Sequence, residues 1–272
     1  MRTLLFSVVA SSLAWAGASD KLMSQVGAKA ELSYSQMAQA TDKCPPEAHQ
    51  LNASGIQLSQ SDLPGALAAF TKSLKLCAAN PTALSNRGVV FSLQGRHDEA
   101  IADMEKALSL LGEEPGLAHT QSKAIAVEYV ALGRARTDNG KEFLAQDSFR
   151  KALKYDPSSA AAHSELAYLA AGRRSYPECI NEANAGIAAN KKHSDSYANR
   201  GACLFALGKN KDALTDLNSA ITFGPTPNLY VQRAGILAAL GDCVAAKKDA
   251  QQAVRELASL SKLATEMLSP CK

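Results

Sequence analysis

The sequence predicts an all-α protein, an α-solenoid of about six helix–turn–helix repeats that ends in a C-terminal capping helix. The first observation is a small residue that recurs in one helical context every 33 or 34 residues and, once, after 45. The second is a glycine five residues before that position in four of the six segments, and the third is proline at helix starts and ends. The recurring small residues are Ala66, Ala100, Ala145, Cys179, Ala213 and Ala246. Because one helix pair cannot bury its apolar face alone, such repeats stack on one another.

The first eighteen residues are typical of a secretory signal peptide. Arg2 precedes a short apolar run from Leu4 to Trp15, and Ala16-Gly17-Ala18 is a small-x-small cleavage sequence. The run is shorter than the ~20 residues that a spanning helix needs, so we expect cleavage after Ala18 and no membrane insertion. The exported protein would be periplasmic or extracellular, or in the secretory lumen of a eukaryote. Residues 19–43 form a leader that is either helical or mobile.

Each repeat is predicted to be two antiparallel helices joined at a turn. Glycine directly after a helix favours that turn, and it is found at Gly95, Gly140, Gly208 and Gly241. Repeats one and four instead carry Pro64 and Pro177 in the first turn of the second helix. Twelve residues before the recurring position is a second small column: Ser54, Gly88, Gly133, Ala167, Gly201 and Ala234. Larger residues are expected to fill the space between neighbouring pairs: Phe70, Met104, Phe149 and Leu217.

The single 45-residue interval is eleven residues longer than its neighbours. Eleven residues make three helical turns, so an insertion of that length extends a helix without rotating its buried face. The insertion lies around Gly112 to Ile125. It predicts a long first helix in the third repeat, beginning near Leu117.

These repeats resemble the tetratricopeptide repeat family over residues 47–257. The segments NRGACLFALGKNKDALTDLNSAI and YVALGRARTDNGKEFLAQDSFRKALKYDP are the most similar, although tyrosines stand where the family has tryptophan in the first helix. The domain organisation is then six repeats within residues 44–257, followed by a capping helix and tail at 258–272. The repeat bounds are about 47–80, 81–114, 117–157, 160–193, 194–226 and 227–257.

Six cysteines follow the signal sequence, and an exported protein meets an environment that permits disulfides. Residues equidistant from the turn of an antiparallel hairpin lie side by side, and three sequential pairs are centred on predicted turns. We therefore expect the disulfides Cys44–Cys77, Cys179–Cys203 and Cys243–Cys271. For Cys179 and Cys203, the alternative is two buried small residues without a bond, because neighbouring helix axes are usually 8–10 Å apart.

Nothing in the sequence indicates catalysis or a cofactor. It has no C-x-x-C, zinc-binding spacing, nucleophile motif or phosphate-binding loop, and its five histidines are scattered over different segments. Cleavage of the signal peptide would remove one arginine, leaving 28 basic residues against 26 acidic ones. This balance argues against nucleic acid as a partner. We therefore expect that the protein is not an enzyme and that it binds no metal ion and no cofactor.

The family resemblance implies that the first helices line a concave groove for peptides or partner proteins. Amide side chains there can pair with an extended peptide backbone, while arginine and aromatic residues supply anchors. The candidates are Asn52, Asn86, Arg134, Tyr168, Asn199, Phe205 and Gln232. The carboxylate clamp of the chaperone-tail binders is not expected, because Leu51 and Ser164 occupy its lysine places. The alternative is a solvated inner face without a dedicated ligand.

The sequence thus favours an exported interaction scaffold or adaptor that binds a peptide segment or partner in the groove. One alternative is a structural subunit of an envelope or secretion assembly, docked through its convex face or ends. A more remote one is an enzyme or an enzyme-regulatory subunit. The partner's identity and the oligomeric state stay open at this level.

Overall fold

The computed structural model describes residues 44–111 and 119–271, so the predicted signal peptide and the predicted leader at residues 19–43 lie outside it. Within these ranges there are thirteen α-helices and two short 3-10 helices, and no strand. The α-helices are α1 (Pro46–Leu58), α2 (Leu63–Leu76), α3 (Pro81–Leu93), α4 (His97–Leu111), α5 (His119–Asp138), α6 (Glu142–Tyr155), α7 (Ala160–Gly172), α8 (Tyr176–Ala189), α9 (Ser194–Ala206), α10 (Asn210–Phe223), α11 (Pro227–Ala239), α12 (Cys243–Glu256) and α13 (Ser261–Met267).

The described helices fall into two compact units, which divide after Pro157. In the first unit, α1 pairs with α2, α3 with α4, and α5 with α6. In the second, α7 pairs with α8, α9 with α10, and α11 with α12, and α13 then packs on α11 and α12. The predicted class, an all-α helical-repeat solenoid, is confirmed.

The turns within the pairs have the backbone conformation that glycine favours. Gly95, Gly140, Gly208 and Gly241 have φ angles of 74°, 70°, 79° and 85°. Their predicted role as turn glycines is confirmed. In the fourth pair the same position is Arg174, whose φ of 60° places a bulky residue in the left-handed region.

Small first-helix residues let the large second-helix side chains approach closely. A Cβ added to Gly133 would collide with the ring of Phe149, and one added to Gly201 would collide with Leu217. In the first pair the close approach to Phe70 is made by Gly55, whereas Ser54 is exposed. The alignment of the first repeat is therefore wrong by one residue, because Gly55 precedes Ala66 by 11 residues, whereas Gly133 precedes Ala145 by 12.

Two predicted helix lengths can be compared with the structure. Helix α5 has 20 residues, against 13 in the other first helices, although the expected start near Leu117 lies among residues that are not described. The capping segment is divided into a 3-10 turn at Ala258–Leu260, the short α13, and a second 3-10 turn at Ser269–Cys271. Met267 is buried against Gly235 of α11, so this segment covers the last apolar face.

The structure brings the six cysteines together in the three expected pairs. The Cα atoms are 5.5 Å apart in Cys44–Cys77, 6.6 Å in Cys179–Cys203 and 5.5 Å in Cys243–Cys271. The middle pair joins α8 to α9 and is fully buried among small residues, including Ala167 and Ala183. These alanines allow the close helix approach that a disulfide requires.

Candidate interaction surface

Every predicted binding residue lies on the first helix of a pair. The first unit carries three of them and the second unit four. They are Asn52 on α1, Asn86 on α3, Arg134 on α5, Tyr168 on α7, Asn199 and Phe205 on α9, and Gln232 on α11.

In the first unit, two asparagines connect neighbouring first helices. Asn52 is only 1% exposed, and its Oδ1 accepts a hydrogen bond of 3.2 Å from Nδ2 of the half-buried Asn86. This bond uses one of the two amide hydrogens of Asn86. Its side-chain oxygen makes no hydrogen bond within the described part of the chain. The Asn86 amide is therefore held in one orientation, and its side-chain oxygen is available to accept a hydrogen bond from a ligand.

In the second unit, Asn199 has a structural contact of the same kind. Its Nδ2 donates to the carbonyl oxygen of Ser164 at 2.8 Å and to the Ser164 hydroxyl at 3.1 Å, which ties α9 to α7. Asn199 and Gln232 are 6% and 4% exposed. The side-chain oxygens of Gln232 and of Asn228, one turn earlier, are buried without a hydrogen-bond partner among residues 44–111 and 122–271.

The candidates thus separate into two groups. Asn52, Asn199 and Gln232 are buried between helices. The others are partly exposed, and Phe205 also packs against the core of α9, α10 and α11. The residues that a partner could touch without rearrangement are Asn86, Arg134, Tyr168 and Phe205.

A series of arginine–aspartate pairs was missed at the sequence level. Arg200 Nε and Nη2 donate to the two oxygens of Asp216 at 2.8 and 2.7 Å, joining α9 to α10. This hydrogen-bonded carboxylate raises the pKa of Arg200, and the same happens to the pKa of Arg233 beside Asp249. The pairs Arg87–Asp103, Arg200–Asp216 and Arg233–Asp249 share one 16-residue spacing, which was the available signal.

Glu128 on α5 is a second residue that the sequence analysis missed. It is 4% exposed, and its Oε2 accepts a 2.6 Å hydrogen bond from the Ser85 hydroxyl on α3. Burial raises the pKa of Glu128 to about 7, against a smaller lowering by that hydrogen bond. The equivalent positions in the second, fourth and fifth pairs hold the small buried residues Ala83, Ala162 and Ser196, and the sixth pair has the buried Leu229. A carboxyl group at a position that is otherwise small or apolar in these four pairs was the signal.

Comparison with known proteins places these repeats in a family. Residues 55–116 match the family model described as tetratricopeptide repeat. A curated relative, the Hsp70-Hsp90 organizing protein of Triticum aestivum, is 26% identical over 200 residues, which are 64% of this chain and 34% of that protein. The chain therefore matches about a third of the length of that relative. The match identifies a tetratricopeptide repeat within residues 55–116, and the helix pairs of the described residues have the same arrangement, so the predicted resemblance to this family is supported.

Solved structures share the same fold. A tetratricopeptide repeat protein from Parabacteroides merdae superposes with a TM-score of 0.64 and 24% identity, covering 94% of this chain and 99% of that one. The APC/C hetero-tetramer Cut9-Hcn1 gives a TM-score of 0.69 with 20% identity, over 91% of this chain and 47% of that one. Among the described residues no helix is long and apolar enough to cross a membrane, and no cluster of histidine, cysteine or acidic residues could hold a metal ion.

Proposed function

We propose that this protein is an exported interaction scaffold that binds an extended segment of a partner protein along its first helices. The observation that carries the proposal is the Asn86 amide, held by Asn52 with its own oxygen unpaired. Tetratricopeptide-repeat proteins mediate protein–protein interactions, and relatives such as the organizing protein of Triticum aestivum fall within that class.

A peptide backbone offers alternating N–H and C=O groups, and a primary amide can both accept from the first and donate to the second. Fixing the amide beforehand reduces the entropy that is lost on binding. Arg134, Tyr168 and Phe205 add partly exposed side chains of types that often dominate binding energy. The buried Asn52 and Asn199 have a different role, which is to hold neighbouring first helices in register.

The similarity to organizing proteins does not extend to a carboxylate clamp. The places that would need lysine hold Leu51 and Ser164, and Ser164 already accepts hydrogen bonds from Asn199. We therefore propose recognition of an internal extended segment and not of a chain terminus.

Export is part of the proposal and rests on the signal-like residues 1–18 and on the three cysteine pairs. N-terminal sequencing of the protein purified from its source tests this directly. A mature chain that begins at Ser19 supports export, and an intact chain that begins at Met1 contradicts it.

Site-specific photocrosslinking tests the binding surface. A photoreactive amino acid at Asn86 or Tyr168 should form adducts with a partner in native extract. The same group at Lys154, an exposed residue of the second helix α6, is the matched control and should form none. Adducts from Lys154 alone would contradict binding along the first helices.

The second candidate function is docking into a larger assembly through the second helices. It is favoured by two apolar side chains near the start of second helices, Phe143 on α6 and Val244 on α12, which are 81% and 83% exposed. Isolated exposed apolar residues are common on protein surfaces, so this observation is weaker than the oriented amide. Crosslinking from Phe143 and Val244, without adducts at Asn86, would favour this candidate.

A further inference from the structure

A cleft of about 220 Å³ opens in the first unit, away from the candidates for peptide binding. Helices α2, α3 and α4 form it. Its apolar lining is Leu74, Leu84 and the side chain of Ala78, and its polar lining is Thr71, Lys75, Arg87 and Lys106. All four polar residues can donate hydrogen bonds, and three of them are cationic.

The arginines that occupy the repeat position of Arg87 in other helix pairs each contact a residue of the preceding pair. Besides binding Asp216, Arg200 donates from Nη1 to the side-chain oxygen of Asn184 on the preceding second helix, at 2.7 Å. Arg233 does the same with Asn218, at 2.9 Å. In both cases Nη1 of the arginine, which does not contact the aspartate, donates to a side-chain oxygen of the preceding helix pair.

A variation of this contact occurs in the third pair. There Arg136, one turn further along its helix, donates from Nη2 to Glu105 of the preceding second helix at 2.7 Å. Glu105 occupies the same repeat position as Asn184 and Asn218, five residues after the recurring small residue. Three pairs therefore place an oxygen acceptor at this position and an arginine against it.

Arg87 is the exception. Its Nε and Nη2 bind Asp103 at 2.6 and 2.9 Å, and its guanidinium lies 5.5 Å from the centroid of the Phe91 ring. The position of the missing acceptor is occupied by Thr71, and no hydrogen bond joins the two residues. Nη1 of Arg87 thus has no acceptor within the described residues, and both Arg87 and Thr71 line the cleft.

The charge around the cleft is unbalanced. Asp103 neutralises Arg87, but Lys75 and Lys106 add two positive charges, and neither makes an ion pair within the described residues. An oxygen anion in the cleft would reach an unpaired guanidinium edge and be attracted by both ammonium groups. Leu74 and Leu84 give the same cleft an apolar wall.

We propose that this cleft binds a carboxylate side chain of an acidic partner segment, with an adjacent apolar residue of that segment against Leu74 and Leu84. The carboxylate supplies to Arg87 the oxygen that Asn184 supplies to Arg200 and Asn218 to Arg233. None of the peptide-binding candidates lines the cleft, although Leu84 and Arg87 belong to the first helix α3. The proposal for the cleft therefore does not depend on peptide binding at those candidates.

The test uses the mature chain and a blocked peptide, acetyl-Gly-Leu-Glu-Gly-amide, followed by NMR chemical shifts of backbone and arginine side-chain N–H groups. Binding in the millimolar range is expected, with the largest shifts at Arg87 and Lys106, and it should weaken as salt is added. The peptide with glutamine in place of glutamate should bind roughly tenfold more weakly, because it loses the charge-assisted hydrogen bonds.

Two substitutions at one position separate the proposal from general attraction to lysines. Thr71→Asn introduces the acceptor that Asn184 and Asn218 provide elsewhere, so its side-chain oxygen should accept from Nη1 of Arg87. The glutamate peptide should then bind roughly tenfold more weakly. Thr71→Val keeps the size without supplying an acceptor and should bind like the wild type. Circular dichroism of both variants verifies that the helices are retained.

Several results would overturn the proposal. Among them are unchanged shifts across the cleft with the glutamate peptide, equal binding of the glutamine peptide, and unaltered affinity in Thr71→Asn. Saturation by inorganic phosphate with no response to the glutamate peptide would also overturn it, since the site would then be a phosphate site. None of these outcomes bears on crosslinking at Asn86, so failure here is distinguishable from failure of the proposed function.

Discussion

Replacing Glu128 with glutamine should stabilise the protein above neutral pH and change the pH dependence of its stability. The folded protein holds the pKa of this carboxyl at about 7, whereas its ordinary value is 4.5. The folded state therefore binds more protons than the unfolded state between these two pH values, and stability falls as pH rises through this range. Above both pKa values, the buried carboxylate costs about 3 kcal/mol relative to the protonated form. Glutamine is neutral throughout, and its amide oxygen can still accept from Ser85.

Urea unfolding of the wild type and of Glu128→Gln, at several pH values from about 4.5 to about 8, measures this difference. The two proteins should differ least at the acid end, and the variant should gain up to about 3 kcal/mol at the alkaline end. Glu47→Gln, at an exposed carboxylate in the first turn of α1, is the matched control and should show no such pH-dependent gain. A constant difference between Glu128→Gln and wild type at every pH would show that burial does not raise the pKa of Glu128.

Three further predictions concern packing and cross-links. Arg200→Lys keeps the charge but loses the paired bonds to Asp216, so the urea midpoint should fall by an amount equivalent to about 2 kcal/mol; an unchanged midpoint would contradict that role. Gly133→Ala forces a Cβ into the Phe149 ring and should cost about 1–3 kcal/mol in thermal unfolding, whereas Gly172→Ala has open space and should not destabilise. Mass spectrometry of a non-reduced digest should recover the three expected cysteine pairs, and crossed pairs or free thiols would contradict them.

The fold class could be predicted because repeat spacing and turn chemistry are local properties of the sequence. The turn glycines adopt positive φ because residues with a Cβ do so only with strain, and their spacing, together with that of the recurring small residues, located the helix pairs. The alignment of the first repeat was wrong because its α1–α2 turn has no glycine, so Ser54 was placed in a column that Gly55 occupies.

The candidate surface was harder to predict, because helical phase gives the direction in which a side chain points but not how deeply that side chain is buried. Asn52 and Asn86 look equivalent in the sequence and are hydrogen-bonded to each other in the structure, yet Asn52 is buried and Asn86 is half-buried. The ion pairs depend on side chains that meet across two helices, which a column of residues does not show. The cleft at Arg87 was not predictable from the sequence, because it depends on the lack of a hydrogen bond from Arg87 to Thr71. That lack is recognised only by comparison with the contacts of Arg200 and Arg233.

The proposed partner segment binds along the first helices and pairs with the oriented Asn86 amide. The most direct measurement is calorimetry with a synthetic peptide that carries the photocrosslinked partner sequence. We expect Asn86→Ala to bind this peptide roughly tenfold more weakly than the wild type, and Lys154→Ala on the second helix α6 to bind it with unchanged affinity. Equal affinities of wild type and Asn86→Ala, with weaker binding by Lys154→Ala, would contradict binding along the first helices.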